Sequence, residues 1–159
     1  MSGTNKIDIP ENSVLAQEKT VHSPQQTEEI ACQLSERLVP GDVVALYGDL
    51  GTGKTFLVKA ICRFFKMSQE ATSPSFTIIN EYFNDKNLYI YHFDFYRLEN
   101  EAELQNLGLD EFFYNDYICL IEWADKIQNF LPESRWEVHI KFVDSEPQAR
   151  NIRIEKRGN

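Results

Sequence analysis

The chain is poor in cysteine and short of positive charge, and both shortages exclude whole classes of function. Only Cys32, Cys62 and Cys119 occur in 159 residues, odd in number, far apart and each among apolar neighbours. A disulfide framework and a CxxC zinc site are thereby excluded, and a reducing cytoplasm is the expected compartment. No uncharged apolar run approaches the ~20 residues of a membrane-spanning helix. The opening stretch MSGTNKIDIPENSV lacks the apolar segment of a signal peptide. Internal repeats, low-complexity tracts and Gly/Ser linkers are absent. Lys and Arg number 16 against 25 Asp and Glu, a formal net charge of −9. Residues 94–146 hold 13 acidic and four basic residues, and the rest of the chain holds 12 of each. The whole excess thus lies in the C-terminal half. A dominant basic surface for gripping nucleic acid is excluded. The acidic half is either a solvated face that keeps the protein soluble or a patch that docks on a basic partner.

What is present reads as one ordinary globular domain. Hydrophobic residues make up 42% and charged residues 26%, well away from a disordered composition. Residues 1–12, polar and carrying Pro10, are expected to form a flexible leader, and residues 13–159 a single domain. The segment Lys19–His22 reads as a short edge strand. Ser23-Pro24-Gln25-Gln26 reads as a helix start, with Ser23 capping, Pro24 at the first position and Gln26 closing a capping box. Ile30, Leu34 and Leu38 form its apolar stripe, and Pro40-Gly41 its end. Val43–Tyr47 is a continuous apolar run, as in a strand covered on both faces, and Lys54–Phe65 reads as a buried helix. Phe76–Phe83 and Leu88–Asp94 are expected to pair across the turn residues Asn84–Asn87. Residues 99–107 suggest a short helix interrupted at Gly108. Tyr117–Ile121 reads as a second buried strand ending at Glu122. Ala124–Leu131 suggests a helix, and Trp136–Val143 with Ala149–Glu155 a closing hairpin. This alternation predicts an α/β sandwich with a central mixed sheet flanked by helices.

Gly48-Asp49-Leu50-Gly51-Thr52-Gly53-Lys54-Thr55 fits G-x-x-x-x-G-K-[ST] between the first apolar strand and the buried helix. A chance match in a chain this long has odds on the order of half a percent. Glycines let the backbone curl so that its N–H groups point into an anion-binding cavity. The helix starting at Lys54 aims the positive end of its dipole at the same place. Lys54 adds a mobile charge for β and γ oxygens, and the Thr55 hydroxyl can enter a Mg²⁺ shell. The fold expected is therefore P-loop NTPase-like.

Such a site needs a carboxylate at a neighbouring strand end. Asp94 and Glu122 both qualify: either could serve the metal, with the other positioning an attacking water. Thr72, Ser73, Ser75 and Thr77 crowd a loop where a nucleotide-sensing switch could sit. His92 and Asp94 share a strand face, but without a third ligand a structural His is the favoured reading. Arg97 could act as an internal arginine finger or simply pair with an acid. A packed hairpin accounts for most of the seven aromatics in residues 82–96. Asn5-Lys6-Ile7-Asp8 spells a guanine-specificity motif, yet it precedes the loop instead of following it and no D-x-x-G follows a strand, so it reads as chance.

The ordered stretches Gly48–Thr55, Ser73-Pro-Ser-Phe-Thr77, Tyr91-His-Phe-Asp-Phe-Tyr-Arg-Leu98, Leu107-Gly-Leu-Asp-Glu-Phe-Phe113 and Leu120-Ile-Glu-Trp-Ala124 resemble the TsaE (YjeE) family over about residues 20–155. The chain departs from that family in Ala124, where Pro is common, and in its longer leader. The resemblance implies a partner-activated ATPase of bacterial tRNA threonylcarbamoyladenosine biosynthesis. It would bind ATP and Mg²⁺ and work with TsaB and TsaD, touching tRNA only through that complex. By match of motif, Leu50, Gly51, Thr52, Gly53, Lys54 and Thr55 hold phosphates, Thr55 and Glu122 hold Mg²⁺, and Lys54, Asp94 and Glu122 serve catalysis. Trp123 lies beside the nucleotide, and adenine contacts fall near Ser23–Thr27 and the last hairpin. The competing reading is a small-molecule kinase of the nucleotide or shikimate type. Such kinases clamp an acceptor with clustered arginines, whereas the seven here are scattered from Arg37 to Arg157. A nucleotide-binding module without turnover is a third reading, against which Asp94 and Glu122 both speak.

Overall fold

The computed structural model describes residues 16–74 and 78–158. The expected leader, the Asn5–Asp8 tetrapeptide, and Ser75, Phe76 and Thr77 lie outside the described residues. Seven strands form one mixed sheet: β1 (Ala16–Val21), β2 (Val43–Tyr47), β3 (Ile79–Phe83), β4 (Tyr89–Asp94), β5 (Ile118–Glu122), β6 (Arg135–Val143) and β7 (Glu146–Arg157). Their spatial order is β1-β7-β6-β2-β5-β4-β3. β2 runs parallel to both β5 and β6, and β4 runs parallel to β5. The β3–β4 and β6–β7 hairpins and the edge strand β1 are antiparallel.

The central strands are apolar because both faces are covered. Helices α1 (Pro24–Ser35) and α2 (Lys54–Phe64) pack Ile30, Leu34, Leu57 and Ile61 against Val44, Leu46, Leu120 and Val138 on one face. On the other, Val43, Ala45, Cys119 and Ile121 meet Phe93, Phe95, Leu104, Phe113 and Ile127. Those last residues come largely from a 3₁₀ helix at Glu101–Asn106, helix α3 (Leu109–Phe113) and a second 3₁₀ segment at Ala124–Phe130. Fully burying one such aliphatic or aromatic side chain is worth roughly 1.5–3 kcal/mol, so these short elements are held by packing.

Several expectations need adjustment. Ser23 does cap α1, its hydroxyl accepting from the Gln26 N–H at 3.2 Å, but Gln26 reaches the His22 N–H at 2.7 Å instead of that of Ser23. α1 ends at Ser35, before Pro40: Arg37 and Leu38 bond back to the Leu34 and Ser35 carbonyls in a tightened turn. The described part of β3 starts at Ile79, later than the expected Phe76. The helices expected over 99–107 and 124–131 are 3₁₀ turns, the second broken at Ile127 with φ −123°. α3 lies beyond Gly108, where the sequence suggests only an interruption; the glycine caps it in the left-handed region at φ 63°.

Candidate active site

The phosphate-loop motif leaves the C-terminal end of β2, the side of a parallel sheet where ligands bind in α/β folds. Gly48 is required by space: a Cβ there would sit 2.6 Å from the Ile140 carbonyl oxygen and 2.7 Å from Thr52 Oγ1. Gly53, with φ 110° and ψ 22°, turns the chain left-handedly into α2. Thr52 Oγ1 donates to the Asp49 carbonyl at 2.9 Å and braces the curl from inside. Lys54 folds over the loop, its Nζ donating to the Gly48 and Asp49 carbonyls at 2.5 and 3.0 Å, and lies 4.1 Å from the centre of the Trp123 ring. Burial pulls the Lys54 ammonium below the ordinary lysine range, against the upward pull of Glu122, Asp94, Asp125 and Asp49.

β4 and β5 deliver the two acids. Asp94 and Glu122 sit side by side in register at the ends of these strands. Glu122 is almost fully buried, at 2% exposure. Its Oε1 accepts the Thr55 hydroxyl at 2.7 Å, and its Oε2 lies 2.6 Å from His92 Nε2. Asp94 accepts the Tyr96 backbone N–H at 2.9 Å and the Ser73 hydroxyl at 3.3 Å. The two strand-end acids therefore differ in company: Glu122 belongs with Thr55 at the foot of α2, and Asp94 faces the loop that follows α2.

These groups surround a cleft of about 300 Å³, lined by Leu50, Gly51, Gly53, Lys54, Thr55, Phe56, Ser73, Asp94, Tyr96, Glu122 and Trp123, whereas Thr52 is buried and does not line it. No arginine is among the described residues lining it, and Arg97 lies outside. Trp123 adopts φ 58° and ψ 43°, an unusual backbone for a non-glycine residue, directly after Glu122. Two contributors were missed by sequence reasoning. Arg150 of β7 donates from Nε to the Thr52 carbonyl at 3.2 Å, tying the last hairpin to the loop. His92, for which the sequence favours a structural role, is buried and has Glu122 as a partner that the sequence does not show. A polar side chain in the apolar run Tyr89–Phe93 was the available signal for it.

The donor set suits a hard cation held mainly by a nucleotide. Among the described residues no three or more His, Cys, Asp or Glu side chains converge on a metal position. Mg²⁺ bound with a nucleotide commonly takes only one or two protein oxygens, with phosphates and waters completing its shell. The Thr55 hydroxyl and the Glu122 carboxylate, 2.7 Å apart at the helix start, could supply them.

Residues 21–152 match the family described as threonylcarbamoyl adenosine biosynthesis protein TsaE. The chain belongs to the TsaE family. It is 44% identical over 119 residues to the tRNA threonylcarbamoyladenosine biosynthesis protein TsaE of Bacillus subtilis, covering 75% of this chain and 73% of that one. Identity to the Haemophilus influenzae protein of the same name is 42% over 112 residues, covering 70% and 68%. The crystal structure of Bacillus subtilis YdiB superposes with a TM-score of 0.74 at 35% identity, covering 92% of this chain and 89% of that one. The TsaE match runs from the last residue of β1 into β7 and so contains every residue of the cleft. No described helix is long and apolar enough to cross a membrane.

Proposed function

We propose that the protein is the Mg²⁺-dependent ATPase subunit of bacterial tRNA threonylcarbamoyladenosine biosynthesis, working in the cytoplasm in complex with TsaB and TsaD. The observation that carries the reading is the convergence of the phosphate loop, Lys54 and the Thr55–Glu122 pair on one cleft. In this reading the backbone N–H groups of residues 50–55 and the start of α2 bind the phosphates. Lys54 leaves the Gly48 and Asp49 carbonyls for the β and γ oxygens. Thr55 and Glu122 hold Mg²⁺, which when bound neutralises charge on those oxygens. Both Glu122 oxygens are engaged, by Thr55 and His92, so orienting the attacking water falls to Asp94. Tyr96 N–H and Ser73 fix the Asp94 carboxylate for that task.

The arginine-free lining leaves charge on the γ-phosphate incompletely neutralised, which suits a slow enzyme that awaits a partner. The acidic excess of residues 94–146 suits docking on a basic protein surface better than direct contact with tRNA. Phosphate release with Mg²⁺ and no acceptor tests the reading. ATP should be hydrolysed in preference to GTP. Turnover that appears only when a small acceptor is added would point to a kinase instead.

A further inference from the structure

His92 has no solvent exposure, and phosphate chemistry gives it no evident task. Its Nε2 lies 2.6 Å from Glu122 Oε2, and its Nδ1 lies 3.4 Å from the Tyr82 hydroxyl. That hydroxyl accepts the Thr72 backbone N–H at 3.1 Å and the Asn80 side-chain amide at 3.2 Å. It also lies 3.1 Å from the Thr72 carbonyl. A phenol oxygen offers two lone pairs and one proton. Thr72 and Asn80 fill the lone pairs, so a proton on His92 Nδ1 would find no acceptor there. The hydrogen-bond inventory thus puts the imidazole proton on Nε2, facing the Glu122 carboxylate.

We propose that His92 is the positioning residue for Glu122. Its Nε2–H fixes one carboxylate oxygen so that the other stays turned to Thr55, and its far edge ties the carboxylate through Tyr82 to Thr72. The inference rests on the metal–nucleotide reading above and adds the group that orients the metal-side acid. A glutamate at a strand end has three rotatable bonds, and a buried partner behind it removes that freedom before metal arrives. The same short stretch braces both acids: the Thr72 N–H reaches Glu122 through the Tyr82 hydroxyl and His92, and Ser73 reaches Asp94 directly. A shift of residues 72–73 would therefore be felt at both carboxylates.

The test is a Mn²⁺ titration by electron paramagnetic resonance with ADP present. His92→Asn keeps an amide near the Tyr82 side but withdraws the donor from Glu122, whereas the longer His92→Gln can still reach it. His92→Asn should weaken Mn²⁺ binding by on the order of 10- to 100-fold. His92→Gln should retain most of the affinity, and metal-free ADP binding should be unchanged in both. A folded His92→Asn protein with wild-type Mn²⁺ affinity overturns the proposal. Should that variant not fold, ¹⁵N resonances of the wild-type imidazoles decide. The expected result is a proton on Nε2 of His92, with a signal that moves on adding Mg²⁺ and ADP. A proton on Nδ1, or an unmoved His92 signal, overturns it. Failure of the wild type itself to bind Mn²⁺ with ADP is a separate outcome, which defeats the metal–nucleotide reading beneath.

Discussion

In the proposed function Lys54 is the residue on which the phosphate chemistry would turn, and its surroundings give it a pH dependence. Burial disfavours the ammonium in the free protein, so it deprotonates at a lower pH than an ordinary lysine. Triphosphate binding needs the charged form. Affinity for ATP should therefore decline as pH rises through that lowered value, before the usual lysine range of about 10.4. Calorimetric titration from neutral pH up to the usual lysine range measures this. Lys54→Arg, whose guanidinium stays charged, should show a weaker but flat profile; an equally sloping profile would count against the assignment. Thr55→Ala should behave differently, sparing metal-free nucleotide binding and reducing the Mg²⁺-dependent step, as separate binding and turnover measurements would reveal. The loop between β2 and α2 was legible in the sequence because its motif sets glycines, lysine and threonine in fixed order. Strand ends alone do not say which acid faces Thr55; the family resemblance paired Glu122 with it, and the structure sets the two 2.7 Å apart. His92 and Arg150 escaped because their partners lie 30 and 98 positions away along the chain.

At the scale of elements, β2, α2, β4 and β5 were readable to within a residue or two, because buried apolar runs and a Gly-rich turn leave little choice of period. The 3₁₀ segments and α3 were not, because tertiary packing of Leu104, Phe113 and Ile127 shapes them more than local propensity does. The β6–β7 hairpin, expected as mere closure, carries a buried ionic cluster. Arg135 donates to Glu137 Oε1 at 3.0 and 3.3 Å, and Arg157 lies 2.8 Å from Glu137 Oε2. Tyr47 donates to the same carboxylate at 3.3 Å and stacks on His139 with centroids 4.5 Å apart. Burial works against the Glu137 charge, but the Arg135 hydrogen bonds and the charges of Arg135, Arg157 and His139 outweigh it and hold the carboxyl below its ordinary range. The folded state therefore gains stability from this group above the unfolded value of about 4.3 and loses it as pH falls through the lower folded value. Glu137→Gln should cost about 1–3 kcal/mol at neutral pH. In urea melts that gap should narrow near pH 3; equal stability at neutral pH would contradict the assignment.

For the whole molecule, the sequence places the acidic excess in residues 94–146. Within that stretch Tyr96, 48% exposed, and Trp123 line the cleft and form an aromatic pair with centroids 5.1 Å apart. Lys126 supports that lip, bonding the Tyr96 carbonyl and lying over its ring. Exposed Glu101 and Glu103 follow on the first 3₁₀ turn. If a basic partner docks here, Glu101→Lys and Glu103→Lys should weaken its activation of hydrolysis more at low salt than at high salt and leave unassisted turnover alone. Salt-independent activation in both variants would remove this face from consideration. The central claim, a phosphate-loop ATPase that its partners complete, is tested most directly by phosphate release from wild type and Lys54→Ala, each alone and with TsaB and TsaD. Slow hydrolysis by the wild type alone, a marked rise with the pair, and loss on the order of a hundredfold in Lys54→Ala are the expected results. Wild-type turnover from Lys54→Ala, or full activity from the lone protein with no response to the pair, would contradict the account.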